Sequence, residues 1–236
     1  MDIFQAVILA FIQGLTEFLP VSSSAHLVIF PQFFDWPDQG LAFDVVLHFA
    51  SLCAVVIYYK DSIVLLSQDF FSSVSTRKMQ GDSFLAWGVL LGTIPVGLAG
   101  LFFNDFVEIN LRSFHVVAYA TILFGILLGL SDIVHRARDI NRELIRGSDI
   151  LIIGCFQALA LIPGTSRAGI TITAALLIGL SRKLSIKFAF LLSIPVITLA
   201  TIMKLFELTN EPQQVNWLFL LLGFAIAFLT SYFTIV

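Results

Sequence analysis

Residues 10–28 read Ala10-Phe-Ile-Gln13-Gly-Leu-Thr16-Glu17-Phe-Leu-Pro20-Val-Ser22-Ser23-Ser24-Ala-His26-Leu-Val28. The surrounding sequence is apolar enough to enter a bilayer, yet this stretch holds a carboxylate, an imidazole, an amide and a run of hydroxyls, interrupted by Pro20. Ionisable groups are expensive in hydrocarbon and are retained there chiefly where they serve a site. Gln13 and Glu17, four apart, share one face of a helix that must end near Pro20. Ser22, Ser23 and His26 can share one face of the helix that follows. Lipid cannot hydrogen-bond the irregular backbone between the two helices, so the break must line a cavity or be buried in protein.

Outward from this stretch, the composition sets the class. The 236 residues are 58% hydrophobic and 12% charged, with a mean hydropathy of +0.96. Soluble domains carry about 25% charged residues, so the chain is expected to be an all-α polytopic membrane protein forming a single integral-membrane domain. No basic arm points to nucleic acid. Cys53 and Cys155 fall in apolar segments, where a buried, reduced thiol is expected, and their spacing matches no metal or disulfide framework. The absence of Lys or Arg before Lys60 argues against a cleaved signal peptide.

A polar, aromatic loop is expected from Pro31 to Gly40. Five apolar stretches follow: Leu41–Tyr59, Phe84–Phe103, Phe114–Leu130, Phe188–Phe206 and Trp217–Val236. Each is close to the ~20 residues that a membrane helix needs. Between the third and fourth lies a second broken segment, 149–180, interrupted by Ile162-Pro-Gly-Thr-Ser-Arg-Ala-Gly169. If both broken segments re-emerge on the side they enter, the loops expected at 60–82, 131–148 and 181–187 share one side. Those loops carry ten of the thirteen basic residues, which the positive-inside rule assigns to the cytoplasm. The breaks also resemble each other, with Pro20 matching Pro163, Ser22 matching Thr165, Ser23 matching Ser166 and Ala25 matching Ala168. Three spans separate them, so the second copy is inverted. The expectation is two inverted-topology repeats, about 1–140 and about 141–236, each a re-entrant helical hairpin followed by transmembrane helices. Symmetry then calls for one more helix beyond Val236.

Brought together, the two breaks offer Glu17, Ser22, Ser23, His26, Thr165, Ser166, Arg167 and Thr171. The set suits a phosphate group: helix starts expose backbone N–H groups and a positive dipole end, and Arg167 adds a planar fork for two oxygens. Gly164 lets the backbone come close. Glu17 could take a proton or hold a divalent cation. Plainer readings exist as well, namely a structural Glu17–Arg167 ion pair, serines that only cap helices, and a local Asp44–His48 pair bordering the site. Pro95 and Pro195 are expected to kink their spans.

At these residues the chain resembles the bacterial undecaprenyl-diphosphate phosphatase family linked to bacitracin resistance. The family pattern (Glu/Gln)-x-x-x-Glu running into Leu-Pro-Val-Ser-Ser and a His appears as Gln13 to His26. Its later Pro-Gly-x-Ser-Arg-Ser-x-x-Thr pattern appears as Pro163 to Thr171. Three departures stand out: Ala168 replaces a serine, Gln13 cannot ionise, and the final helix is not in the sequence. The resemblance implies hydrolysis of the C55 lipid diphosphate to the monophosphate and phosphate, recycling the carrier for peptidoglycan synthesis. It places the protein in the cytoplasmic (inner) membrane with its site open to the periplasm. Glu17, Ser23, His26 and Arg167 are the expected catalytic residues. Gln13, Ser22, Gly164, Thr165, Ser166 and Thr171 are expected to bind substrate, and Glu17 to hold magnesium or calcium. Ser23 is the expected nucleophile, with His26 its rival. The partners are the polyprenyl diphosphate and membrane lipids, with room for a homodimer. A secondary transporter or lipid-carrier flippase, with a midplane anion site, is the alternative.

Overall fold

The computed structural model describes residues 1–111, 113–138, 140–210 and 216–236. In a bilayer the backbone must satisfy its own polar groups, which open chains achieve as helices. The described residues accordingly form α-helices and no strand. In chain order these are α1 (Ile3–Thr16), α2 (Ser23–Phe33), α3 (Leu41–Tyr58), α4 (Lys60–Thr76), α5 (Ser83–Asn110), α6 (Phe114–Arg138), α7 (Gly147–Ala158), α8 (Arg167–Leu177), α9 (Arg182–Asn210) and α10 (Trp217–Ile235). Five of them, α3, α5, α6, α9 and α10, are long and apolar enough to cross a membrane. Their outward side chains, such as Leu101, Phe102, Tyr119 and Leu221, stand exposed. Water would penalise that surface and lipid does not. The molecule is a multi-pass membrane protein.

The two broken segments become helix pairs too short to cross. The longest member, α1, has 14 residues, about 21 Å at 1.5 Å per residue against a hydrocarbon core of about 30 Å. Asp2 and Gln5 form a capping box that starts α1, and the helix closes on Glu17. Five residues, Phe18 to Ser22, turn the chain before α2. A single 3-10 turn, Leu159–Leu161, follows α7 and leads into the Pro163 break.

Each pair packs against long helices. The α1 helix lies between α10 and α3, and α7 lies along α5. Gly14 makes the first contact feasible, since a Cβ there would fall 1.8 Å from Thr230 Oγ1 and 2.6 Å from the Ala227 carbonyl. Ser231 seals this junction, donating to the Gly14 carbonyl at 3.3 Å and to Ser51 Oγ at 2.8 Å. Leu9, Phe43, Leu47 and Ala227 form the core beneath the first pair. Ile150, Ile153, Phe188 and Leu192 form the core beneath the second. The α8 helix is held by α6 and α9, which aims its start at the tip of the first pair.

Several expectations need correction. Helix α2 continues through Pro31 to Phe33, so the loop starts later than proline suggested. Proline leaves the carbonyl four residues back without its helical partner, and Gln39 Nε2 supplies one to Leu27 at 3.2 Å. Residues 60–76 are helix α4, not loop: Leu66 packs against α5 and Trp87 Nε1 donates to Ser73 Oγ at 3.0 Å. Arg182, Lys183 and Lys187 lie in the first turns of α9, where Arg182 grips Asp132 through Nε at 2.9 Å and Nη2 at 2.6 Å. The 131–148 stretch is not simply a solvated loop. Arg142 holds the buried Asp149 with two hydrogen bonds, at 2.9 and 3.2 Å, and donates to the Ile178 carbonyl at 2.7 Å. Cys155 faces outward from α7 instead of being buried, and Cys53 is half-buried.

Candidate active site

The site forms where the end of α1, the start of α2 and the start of α8 meet, with α3 alongside. Glu17 is its centre, and its side chain is only 1% exposed. A buried carboxylate must be paired and hydrogen-bonded to be tolerated, and four groups do this. Gln13 Nε2, one helical turn back, donates to Oε2 at 2.8 Å. Ser23 Oγ, in the first turn of α2, donates to the same oxygen at 2.6 Å. Arg167, from α8, pairs with Oε1. His48 Nε2, from α3, lies 3.7 Å from Oε2.

The first tip sets Ser23 in place. Ser22 is the N-cap of α2 at φ 60°, a left-handed conformation that side-chain-bearing residues adopt at a cost of about 1–3 kcal/mol. Its Oγ accepts from the Ala25 N–H at 3.4 Å. This tight reversal turns the next residue back toward Glu17. His26 follows one turn later, with its Nδ1–H donated to the Ser22 carbonyl at 2.8 Å. That bond fixes the tautomer and leaves Nε2 as the accepting nitrogen.

The second tip is a turn closed by Thr165 N–H donating to the Ile162 carbonyl at 3.0 Å. Pro163 and Gly164 are its central residues, and Gly164 has φ 97°, as a type II turn requires. Gly164 also presses on α6: a Cβ there would lie 2.3 Å from the Val117 carbonyl. Ser166 caps α8, its Oγ accepting from Gly169 N–H at 3.1 Å, and lies 3.5 Å from the Leu19 carbonyl of the first tip. Arg167 is the next residue, so the cap fixes where the guanidinium is rooted.

The structure thus gathers Gln13, Glu17, Ser23 and Arg167 into direct contact. Ser22 and Ser166 shape the two tips, Gly164 makes one of them, and Thr165 is buried beside it with no partner for its hydroxyl among the described residues. Thr171 does not turn its hydroxyl toward the others. It donates to the Arg167 and Ala168 carbonyls, at 2.9 and 3.1 Å, and is 1% exposed. His48 gained little weight in the sequence. It bonds locally to Asp44, from Nδ1–H to the Asp44 backbone carbonyl at 2.8 Å, and its Nε2 lies toward Glu17. A histidine inside an apolar span was the available signal.

The expected divalent cation can be tested on the donor set. Both oxygens of Glu17 are taken by N–H and O–H donors, with a guanidinium against one of them. Among the described residues, no three His, Cys, Asp or Glu side chains gather to hold a metal ion. Hard cations need several free oxygen ligands, and these residues do not fit a resident one.

By fold and site, this is a multi-pass membrane protein with an acid–serine–arginine centre buried between two helix breaks. The family described as "Bacitracin resistance protein BacA" matches residues 6–236. A protein of Ruthia magnifica named "Undecaprenyl-diphosphatase" is 54% identical over 236 residues, covering 100% of this chain and 89% of the relative. One of Vesicomyosocius okutanii with the same name is 52% identical with the same coverage. "Undecaprenyl-diphosphatase 2" of Stutzerimonas stutzeri is 51% identical, covering 100% of this chain and 88% of its own length. The chain belongs to the BacA family.

Proposed function

We propose that this protein hydrolyses undecaprenyl diphosphate to undecaprenyl phosphate and inorganic phosphate. The product would re-enter cell-wall (peptidoglycan) synthesis, and bacitracin resistance would follow as the family trait. The observation that carries this reading is the 2.6 Å hydrogen bond from Ser23 Oγ to Glu17 Oε2 beside Arg167. It is a nucleophile already paired with its base.

In this mechanism Ser23 Oγ attacks the terminal phosphorus while its proton passes to Glu17 Oε2. The bond from phosphorus to the bridging oxygen breaks, and lipid monophosphate departs as a stable anion. Water then attacks the phosphoserine, the bond from phosphorus to Ser23 Oγ breaks as Glu17 Oε2 returns its proton to that oxygen, and phosphate leaves with the oxygen and hydrogens of the water. Arg167 engages Glu17 through Nη2, and the rest of its fork suits the transferring oxygens. Those oxygens carry the developing charge, so donors aimed at them act mainly on the transition state. Gln13 keeps Glu17 oriented, and Thr171 supports the start of α8 from within. His26 is the rival nucleophile, since the bond from its Nδ1–H to backbone leaves Nε2 to attack, but the serine–carboxylate contact favours Ser23.

We place magnesium or calcium on the substrate's diphosphate instead of in a protein cage. The inverted relation of the two helix pairs, a site facing the periplasm across the inner membrane, and a homodimer belong to the same proposal. Release of phosphate from the lipid diphosphate in detergent micelles tests the function. Micelles have no second compartment, so a transporter or flippase would release none. Trapping phosphohistidine instead of phosphoserine would overturn the role given to Ser23.

A further inference from the structure

Helix α6 reads in the sequence as an ordinary span, and no motif touches it. Yet it meets the second tip directly. Thr121 Oγ1 donates to the Gly164 carbonyl at 3.0 Å, across 43 positions of sequence, while sharing its hydrogen with the Val117 carbonyl at 2.8 Å. The same turn rests on the Val117 backbone, where no side chain fits between. On its other side it borders a small, partly open cavity lined by Pro20, Val21, Phe124 and Ser166 among others. A turn beside a cavity lacks the packed side chains that would hold it, so the hydrogen bond from α6 bears more of the task.

The geometry points to Thr121 as a positioning residue of the hydrolysis. It fixes the Pro163–Gly164 turn, and through it the Ser166 cap and the root of Arg167. Arg167 must face both Glu17 and a bound phosphate, and α8 is only 11 residues long, so a small rotation of its start displaces the guanidinium. The inference rests on the proposed phosphatase reading, and the wild-type protein's own phosphate release serves as the reference.

The test compares Thr121→Val with Thr121→Ser in detergent micelles, using lipid diphosphate turnover and thermal melting. Thr121→Val keeps the shape and loses the donor. It should lower kcat/KM about fivefold to tenfold, the scale of one neutral hydrogen bond, with an unchanged melting midpoint. Thr121→Ser should stay within about twofold of wild type. In an Arg167→Lys background, Thr121→Val should add little, because neighbouring effects through one group are not additive. Full turnover in Thr121→Val, equal damage in Thr121→Ser, additive losses with Arg167→Lys, or a melting midpoint falling in step with activity would each overturn the assignment. A wild-type protein that releases no phosphate would instead refute the phosphatase reading itself.

Discussion

Removing Arg167 should do more than stop turnover, because it strands a carboxylate. Glu17 is 1% exposed at its side chain and Arg167 is 20% exposed, so the two partners are not equally dependent on each other. Arg167→Gln leaves Glu17 buried with only the neutral donors Gln13 and Ser23 and the imidazole of His48. Breaking a buried ion pair from one side costs about 3–5 kcal/mol. In a chain of this size each kcal/mol moves the melting midpoint by about 2–4 °C, so the loss should be about 6–20 °C. Glu17→Gln should cost less, since the partly exposed guanidinium keeps some solvent. The double variant Glu17→Gln, Arg167→Gln removes both charges and should recover most of the lost stability, while remaining inactive. Melting of the three variants in one detergent measures the cycle, and phosphate release measures activity. A double variant as unstable as the sum of the singles would refute the view that the pair compensates burial. An Arg167→Gln protein as stable as wild type would do the same.

Ser23→Ala should abolish phosphate release, by about 1,000-fold or more, while costing only about 1.5–3 kcal/mol of stability through the lost bond to Glu17; substantial residual turnover would remove Ser23 from the nucleophile's place. Ser22→Val puts a branched side chain at φ 60° and should destabilise by about 1–3 kcal/mol, whereas Ser22→Gly should not; equal melting of the two would show that the tip is unstrained. Calcium and magnesium should bind the substrate-free protein more weakly than about 1 mM, and micromolar binding by calorimetry would reveal a cage that Glu17 and its neighbours do not show. Arg142→Ala should lower stability by about 3 kcal/mol through loss of the Asp149 clamp, while the folded fraction keeps its specific activity.

The sequence alone determined that this chain lives in a membrane, where its five long helices lie, and that two breaks interrupt the apolar pattern. Those are local properties: hydropathy over some twenty residues, and proline or glycine that a helix cannot absorb. It also marked Glu17, Ser23 and Arg167, because an unneutralised polar group is conspicuous against an apolar background. Tertiary structure decided which of the marked groups meet. Glu17 and Arg167 are 150 positions apart, and nothing in their own segments states the rotation of α8 that joins them. That rotation follows from packing on α6 and α9; the α6 contact brings Thr121 to the second tip, and the packing of α3 on α1 brings His48 to Glu17, both from helices without a motif. It also turns the Thr171 hydroxyl onto its own backbone. A helical side chain's surroundings depend on what its helix leans against, and only the assembled bundle fixes that.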